Sequence, residues 1–253
     1  MQIPQGKNIY FLSDFHLGAP DYSSSLKREK KIVSFLEKIK QDAHMIFIVG
    51  DLFDFWFEYR KVVPKGYVRI LGKLAELSDS GIIIHFFVGN HDMWMSGYFE
   101  KELNIPVFYD TKFYEFNGKK FLVGHGDGLG PGDYGYKVLK KVFRNPLSQF
   151  LFGLIPPFFG VALADFLSKR SRLATGTFDD TFLGEEKEWL IQYCKKQLQD
   201  NHIDYFIFGH RHLPIDFSLS QTSRYINLGD WIKYDTYAIF DGAHLRLIHH
   251  SNE

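Results

Sequence analysis

The chain has 253 residues, 45% hydrophobic and 24% charged, which suits one large domain, or one with a sizeable insertion, and argues against disorder. Lysine plus arginine and aspartate plus glutamate are each 30, so global charge gives no case for a nucleic-acid partner. The one cysteine, Cys194, cannot close an intrachain disulfide and points to a reducing compartment; with no catalytic cysteine signature around it, it reads as a packing thiol.

Met1-Gln2-Ile3-Pro4 opens the chain without the basic and then apolar pattern of a secretory signal, so a cytoplasmic location is expected. Apolar runs at 9–12, 45–49, 82–88, 119–123 and 205–208 predict buried strands, and 224–228, 237–240 and 245–248 predict three more. Between the first strands, Leu26, Ile32, Val33, Phe35, Leu36 and Ile39 recur at helical spacing. Val68, Leu71, Leu74, Ala75 and Leu77 do the same, and Gly81 punctuates the end. A charged helical pattern covers 185–199. Strand alternating with helix argues for an α/β (α+β) class. Short connections late in the chain predict that part of the sheet is antiparallel. A mixed β-sandwich flanked by helices fits both.

Each of the first five strands ends in a polar cluster. These are Asp14-Phe15-His16, Gly50-Asp51, Gly89-Asn90-His91-Asp92, Gly124-His125 and Gly209-His210-Arg211-His212. Parallel strands set their carboxyl ends along one sheet edge, where open α/β folds bind ligands. Oxygen ligands with several imidazoles suit manganese, iron or zinc better than calcium or magnesium. A single histidine after a strand is ordinarily structural; five clusters in this order are not accidental. The glycines before Asp51, Asn90, His125 and His210 are expected to permit tight turns.

The stretch 133–172 differs. Lys137, Lys140, Lys141, Arg144, Lys169, Arg170 and Arg172 flank 145–164, which has no charged residue and is rich in phenylalanine. A transmembrane helix is disfavoured, because a span would separate His125 from His210 and Pro156-Pro157 interrupts its middle. Two readings stay open: a helical insertion packed on the core, and a helical cap with an exposed apolar face and basic flanks, suited to a membrane surface and to acyl chains.

The five clusters resemble the pattern of the calcineurin-like metallophosphoesterases: Asp-x-His, Gly-Asp, Gly-Asn-His-Asp/Glu, Gly-His and Gly-His-x-His. The resemblance spans nearly the whole chain. It implies a four-layer β-sandwich flanked by helices, two divalent metal ions and phosphoric-ester hydrolysis. It also implies the ligands, with Asp51 bridging, Asp14, His16 and His212 completing one site and Asn90, His125 and His210 the other. A neutral Asn90 limits negative charge where an anionic phosphate must approach. Metal coordination lowers the pKa of water towards about 7, so that hydroxide attacks phosphorus in line. His91 is expected to neutralise the transition state or protonate the leaving group, with Asp92 orienting its ring.

A narrower resemblance rests on Ser13-Asp14-Phe15-His16-Leu17-Gly18, on Gly50-Asp51-Leu52-Phe53-Asp54-Phe55-Trp56, and on His125-Gly126-Asp127 followed by Asp133, Tyr136 and Arg144-Asn145-Pro146. These are similar to the UDP-2,3-diacylglucosamine pyrophosphatases of lipid A synthesis. That family is manganese-dependent and peripheral to the cytoplasmic face of the inner membrane. It cleaves a nucleotide-sugar lipid to UMP and 2,3-diacylglucosamine 1-phosphate. The resemblance implies a core of 1–132 and 173–253 with a cap at 133–172. It also implies substrate contacts from Asn90, His91, Asp133, Tyr136, Arg144, Lys169, Arg170 and Ser171. One position departs: familiar members carry Arg where this chain has His91, which loses a bidentate phosphate clamp but leaves the metal ligands intact. Asp54, Trp56, Trp94 and Trp231 are candidates to line the cleft or to pack. His249 and His250 read as a polar tail. The rivals are a hydrolase of another phosphodiester or nucleotide and a non-catalytic scaffold.

Overall fold

Strands buried on both faces read as continuous apolar runs, and the computed structural model shows what covers each face. It describes residues 1–132, 134–175 and 181–250, without the side chains of 165, 167 and 169–175. In chain order the strands are β1 (Asn8–Leu12), β2 (Ala43–Val49), β3 (Ile83–Phe87), β4 (Val107–Phe108), β5 (Lys112–Phe116), β6 (Lys119–Val123), β7 (Tyr205–Phe208), β8 (Pro214–Ser218), β9 (Arg224–Leu228), β10 (Thr236–Phe240) and β11 (Leu245–His249). The helices are α1 (Tyr22–Ile39), α2 (Val68–Asp79), α3 (Tyr98–Glu102), α4 (Tyr134–Phe143), α5 (Pro146–Gly153), α6 (Pro157–Thr175) and α7 (Trp189–Asp200).

Two mixed sheets result, a six-stranded one ordered β11-β10-β1-β2-β3-β4 and a five-stranded one ordered β5-β6-β7-β9-β8. They pack face to face. Phe11, Phe47, Val49 and Phe87 from the first meet Phe121, Val123, Ile207 and Ile226 from the second. Phe11 stacks on Phe47 at 4.8 Å within its sheet and on Phe121 at 5.9 Å across the gap. Because side chains alternate along a strand, Tyr10, Leu12, Ile46 and Ile48 turn to the opposite face, where α1 and α2 bury Ile32, Phe35, Ile70 and Leu74 against them. On the outer face of the second sheet, Leu122, Phe206 and Tyr225 meet Leu190, Ile191 and Cys194 of α7. The order is helix, sheet, sheet, helix. Cys194 is a buried packing thiol, as expected, and burial pushes its pKa up.

Sequence patterning misses β4, β5 and β8, and all three are edge strands. An edge strand is covered less, so it need not show an apolar run, although β11, also at an edge, does. β4 has two residues, β8 starts on a proline, and β5 exposes Phe113. His249 and His250 are no loose tail: His249 ends β11, and the His250 ring packs 5.1 Å from Phe35 and 5.7 Å from Trp231.

The segment between β6 and β7 carries α4, α5 and α6. Pro146 occupies the first turn of α5, where its missing N–H costs nothing, and Asn145 caps it by accepting from Leu147 N at 2.8 Å. Neither α4 nor α5 buries a residue. Packing is one-sided. Phe152 touches Phe57 at 4.8 Å and Trp94 at 4.6 Å, while Leu147, Phe150, Leu154, Phe158 and Phe159 are exposed. Among the described residues, no helix is long and apolar enough to cross a membrane. α6 continues to Thr175, so a boundary at 172 falls inside a helix.

Candidate metal centre

β1, β2 and β3 run parallel in one sheet, and β6, β7 and β9 run parallel in the other. Their carboxyl ends meet at one end of the sandwich. Asp14 and His16 follow β1, Asp51 follows β2, Asn90 follows β3, His125 follows β6, and His210 and His212 follow β7. The His125 Nδ1 lies 2.8 Å from the Val49 carbonyl oxygen, a polar contact that ties the two sheets at this edge.

All seven side chains converge. The Asp51 Oδ2 is 3.6 Å from His16 Nε2 on one side and 3.3 Å from His125 Nε2 on the other. Around the first group, Asp14 Oδ1 is 3.6 Å from His16 Nε2 and 3.3 Å from His212 Nε2. Around the second, Asn90 Oδ1 is 3.2 Å from His125 Nε2 and 2.9 Å from His210 Nδ1. Ligand atoms of Asp14, His16, Asp51 and His212 all lie within 4.8 Å of one another.

The set fits divalent cations on two counts. Asp14 directs Oδ2 to Ser13 Oγ at 2.5 Å and His210 N at 3.0 Å, yet its buried Oδ1 has no hydrogen-bond partner among the described residues. A buried carboxylate oxygen without a donor calls for a cation. The donors are mixed carboxylate, amide oxygen and imidazole, which suits manganese, iron or zinc.

The loops are strained to aim these groups. Asp14, His16, Asp51, His210 and His212 all have positive φ, between 43° and 70°. Each such residue costs on the order of 1 kcal/mol and persists where its surroundings over-determine it. The glycines expected to turn divide in role. Gly50 does turn, at φ 89°. Gly89 instead makes room: a Cβ there would stand 2.1 Å from Asp51 Oδ1.

Charges reinforce one another. Burial opposes the His125 imidazolium, but Asp51 and Asp14 outweigh it and raise its pKa to about 10. Burial likewise works against the Asp51 carboxylate, and His125, His91 and His16 hold it low all the same. Burial, helped by His125, depresses His210 to about 4.

His91 sits at the rim, edge-on to His16 at 4.8 Å between ring centres. Asp92 does not orient it. That carboxylate is buried and accepts from the backbone of Gly89 at 2.7 Å and Leu52 at 2.8 Å, so its bonds brace the two ligand loops. Burial and the Asp51 charge raise its pKa to about 7. The His91 ring faces Asp54 instead. Its Nδ1 is 3.0 Å from the Asp54 carbonyl oxygen and 3.3 Å from Ser168 Oγ, and Ser168 donates to Asp54 Oδ2 at 2.9 Å. A backbone turn chooses which neighbour reaches the ring, and adjacency in sequence does not predict it.

The other expected contacts divide. Asp54 is at the site. Trp56 and Trp231 are fully buried packing residues, and Trp94 is wedged beneath Phe143 and Phe152. Tyr136 lies beside His210, with ring centres 6.5 Å apart, and donates to Asp127 Oδ2 at 2.5 Å, which Lys140 also meets at 2.6 Å. Arg144 is engaged by Asp110 at 2.9 Å and by the Tyr109 carbonyl. Asp133 and the side chains of Lys169, Arg170 and Ser171 lie outside the described residues.

Three supporting residues escape sequence reasoning. Asp230 Oδ2 is 3.5 Å from His212 Nδ1, placed as a carboxylate behind a candidate metal ligand. Its signal was present, since Gly229-Asp230 follows β9 as Gly50-Asp51 follows β2. Ser168 reaches the site from α6. Buried Glu188 holds Arg211, the residue between His210 and His212, in a two-pronged pair with both contacts at 3.0 Å.

Comparison with known proteins agrees with this geometry. The calcineurin-like phosphoesterase family model matches residues 7–214. The chain is similar to a UDP-2,3-diacylglucosamine hydrolase of Porphyromonas gingivalis, with 40% identity over 94% of this chain and 96% of that one. It is similar also to that of Ectopseudomonas mendocina, at 30% over 88% and 90%, and to that of Aeromonas salmonicida, at 28% over 94% and 91%. With that match covering most of its length, this chain belongs to the calcineurin-like phosphoesterase family.

Proposed function

We propose that the protein hydrolyses the pyrophosphate of UDP-2,3-diacylglucosamine, releasing UMP and 2,3-diacylglucosamine 1-phosphate, with two divalent cations, manganese first among them. The observation that carries this is Asp51, whose one oxygen faces both ligand groups. Relatives with that name in their own right, aligned over nearly the whole chain, support the substrate.

In this reading Asp14, His16 and His212 would hold one cation, Asn90, His125 and His210 would hold the other, and Asp51 would serve both. The cations supply Lewis acidity and a nucleophile at neutral pH, by drawing down the pKa of water. His91 protonates the leaving oxygen. Burial depresses its pKa to about 4, and Asp51 pulls in the opposite direction. A substrate phosphate beside it adds to that upward pull. The Asp54 carbonyl and Ser168 orient the ring, and Asp92 braces the loops.

The cap, taken as 133–172 with the rest of α6, receives the lipid. A cleft of about 840 Å³ runs from Asp54 and Phe55 to Pro157, Phe158 and Val161, and its lining is more apolar than polar. The exposed phenylalanines and leucines of α5 and α6 suit a peripheral position on the cytoplasmic face of the inner membrane, because exposed apolar patches of this kind mark lipid or protein contact. Tyr136 and Arg144, with Asn90, Asp133, Lys169, Arg170 and Ser171, are the proposed polar contacts of the substrate.

The test is UMP release from UDP-2,3-diacylglucosamine by purified protein with manganese, beside hydrolysis of bis(p-nitrophenyl) phosphate. Release that stops on chelation is expected. Hydrolysis of the small diester without UMP release would reject the lipid substrate and keep the metal centre.

A further inference from the structure

α1 has a second face that the proposed reaction does not use. Ser24, Lys27, Lys31, Ser34 and Lys38 recur at alternating steps of three and four, which stacks them along one side of the helix. They line a groove of about 790 Å³, together with Lys30, Arg28, Trp231 and His250. No carboxylate lines it. Lys31 is paired with Asp235, and Arg28 is turned inward to the carbonyls of Phe15 and His16, both at 2.7 Å. Lys27, Lys30 and Lys38 make no ion pair among the described residues, and Lys27, Lys30 and Lys38 are exposed. Lysines gathered in excess of the counter-charge that Asp235 supplies repel one another, so the groove favours an anion.

A second observation is independent of the lysines. Trp231 lines the same groove, is 0% exposed, and its indole N–H has no acceptor among the described residues. An indole nitrogen is a donor only, and a buried donor left unpaired calls for a partner. A phosphate oxygen supplies one, and the remaining oxygens accept from the ammonium groups. None of the seven predicted metal ligands lines this groove, so it is a separate place on the molecule. It is nonetheless joined to the metal loops: Trp231 N donates to the Asp14 carbonyl at 3.2 Å, and Arg28 to that of His16.

We propose that the groove between α1 and Trp231 is a second anion site that binds a phosphate group. Two sources share that chemistry, a soluble polyphosphate and the head group of an anionic phospholipid. The inference does not depend on which substrate the metal centre hydrolyses.

The Trp231 indole resonance, in nitrogen-15-labelled, zinc-loaded protein, reads occupancy directly, and Trp231→Phe assigns it. The protein is titrated with inorganic pyrophosphate, and separately with dihexanoyl phosphatidylglycerol below its micellar concentration beside dihexanoyl phosphatidylcholine. A shift with pyrophosphate identifies a soluble ligand; a shift with phosphatidylglycerol and not phosphatidylcholine identifies a head group. In either case Lys27→Ser, Lys30→Ser and Lys38→Ser combined should weaken binding about tenfold or more, because each lysine beside an anionic surface contributes separately. That variant should hydrolyse bis(p-nitrophenyl) phosphate at the unaltered rate. An indole unmoved by either probe, or moved equally in the triple variant, overturns the proposal.

Discussion

The metal centre and the cap are built on opposite rules. At the centre, Asp14, Asp51 and His125 are buried, their backbones or partners are fixed by both sheets, and several sit in strained conformations. In the cap, α4 and α5 bury nothing, and Phe158 is 79% exposed. The same residue type marks the contrast. Phe47 is closed between the sheets, whereas Phe150 and Phe158 face outward. Charged groups that must meet at one point need a rigid frame, and a surface proposed to receive flexible acyl chains needs only apolar area. Phenylalanine abundance alone therefore says nothing about where the core lies.

The sharpest way to break this contrast is at Asp51. Asp51→Ala should lower hydrolysis on the order of a thousandfold, the scale of losing a preorganised charge-stabilising group, and metal analysis should show cations lost. An active, fully loaded variant would remove Asp51 from the centre. His91→Ala should lower turnover by about a hundredfold or more with metal content unchanged. Equal turnover would leave the ring a structural neighbour of the ligands.

Asp230→Ala sharpens the question of support, because the carboxylate behind a ligating histidine typically sets about 10–100-fold in metal affinity. Titration against a competing chelator measures it. The same titration across pH tests the electrostatics. Despite burial, Asp51 and Asp14 hold a proton on His125 to about 10, and Asp14 and Asp230 raise His212. Ligation must displace those protons, so apparent affinity should rise with pH through neutrality and fall as pH falls. A flat profile would contradict the assigned ligands.

The smallest effect belongs to the cap. Phe150→Ser with Phe158→Ser should change unfolding free energy by no more than about 0.5 kcal/mol per site, because neither side chain leaves a core. Activity on the lipid substrate should drop while the small diester is unaffected. A large loss of stability would show that the cap is packed.

The strands 119–123, 205–208 and 224–228 were legible to the residue, since the part of each that is covered on both faces, such as Phe121-Leu122-Val123, is an apolar run. β4, β5 and β8 were not, because an edge strand is under no such requirement. All seven expected ligands meet at one end of the sandwich, since they follow five strands, β1, β2, β3, β6 and β7, that run parallel within their sheets. Asp230 was readable by the same rule and was passed over.

What sequence alone determined is therefore the layered α/β class, the loops that bear the ligands and the order in which they come. These are local properties: an apolar run, a glycine, then a donor. Only the folded chain decided that Asp54 and Ser168, not Asp92, face His91, that Glu188 holds Arg211, and that the cap turns Phe152 inward and leaves Phe150, Phe158 and Phe159 outside. Each of these depends on which distant segment arrives at a given point, and packing across two sheets sets that, with no trace in the neighbouring residues.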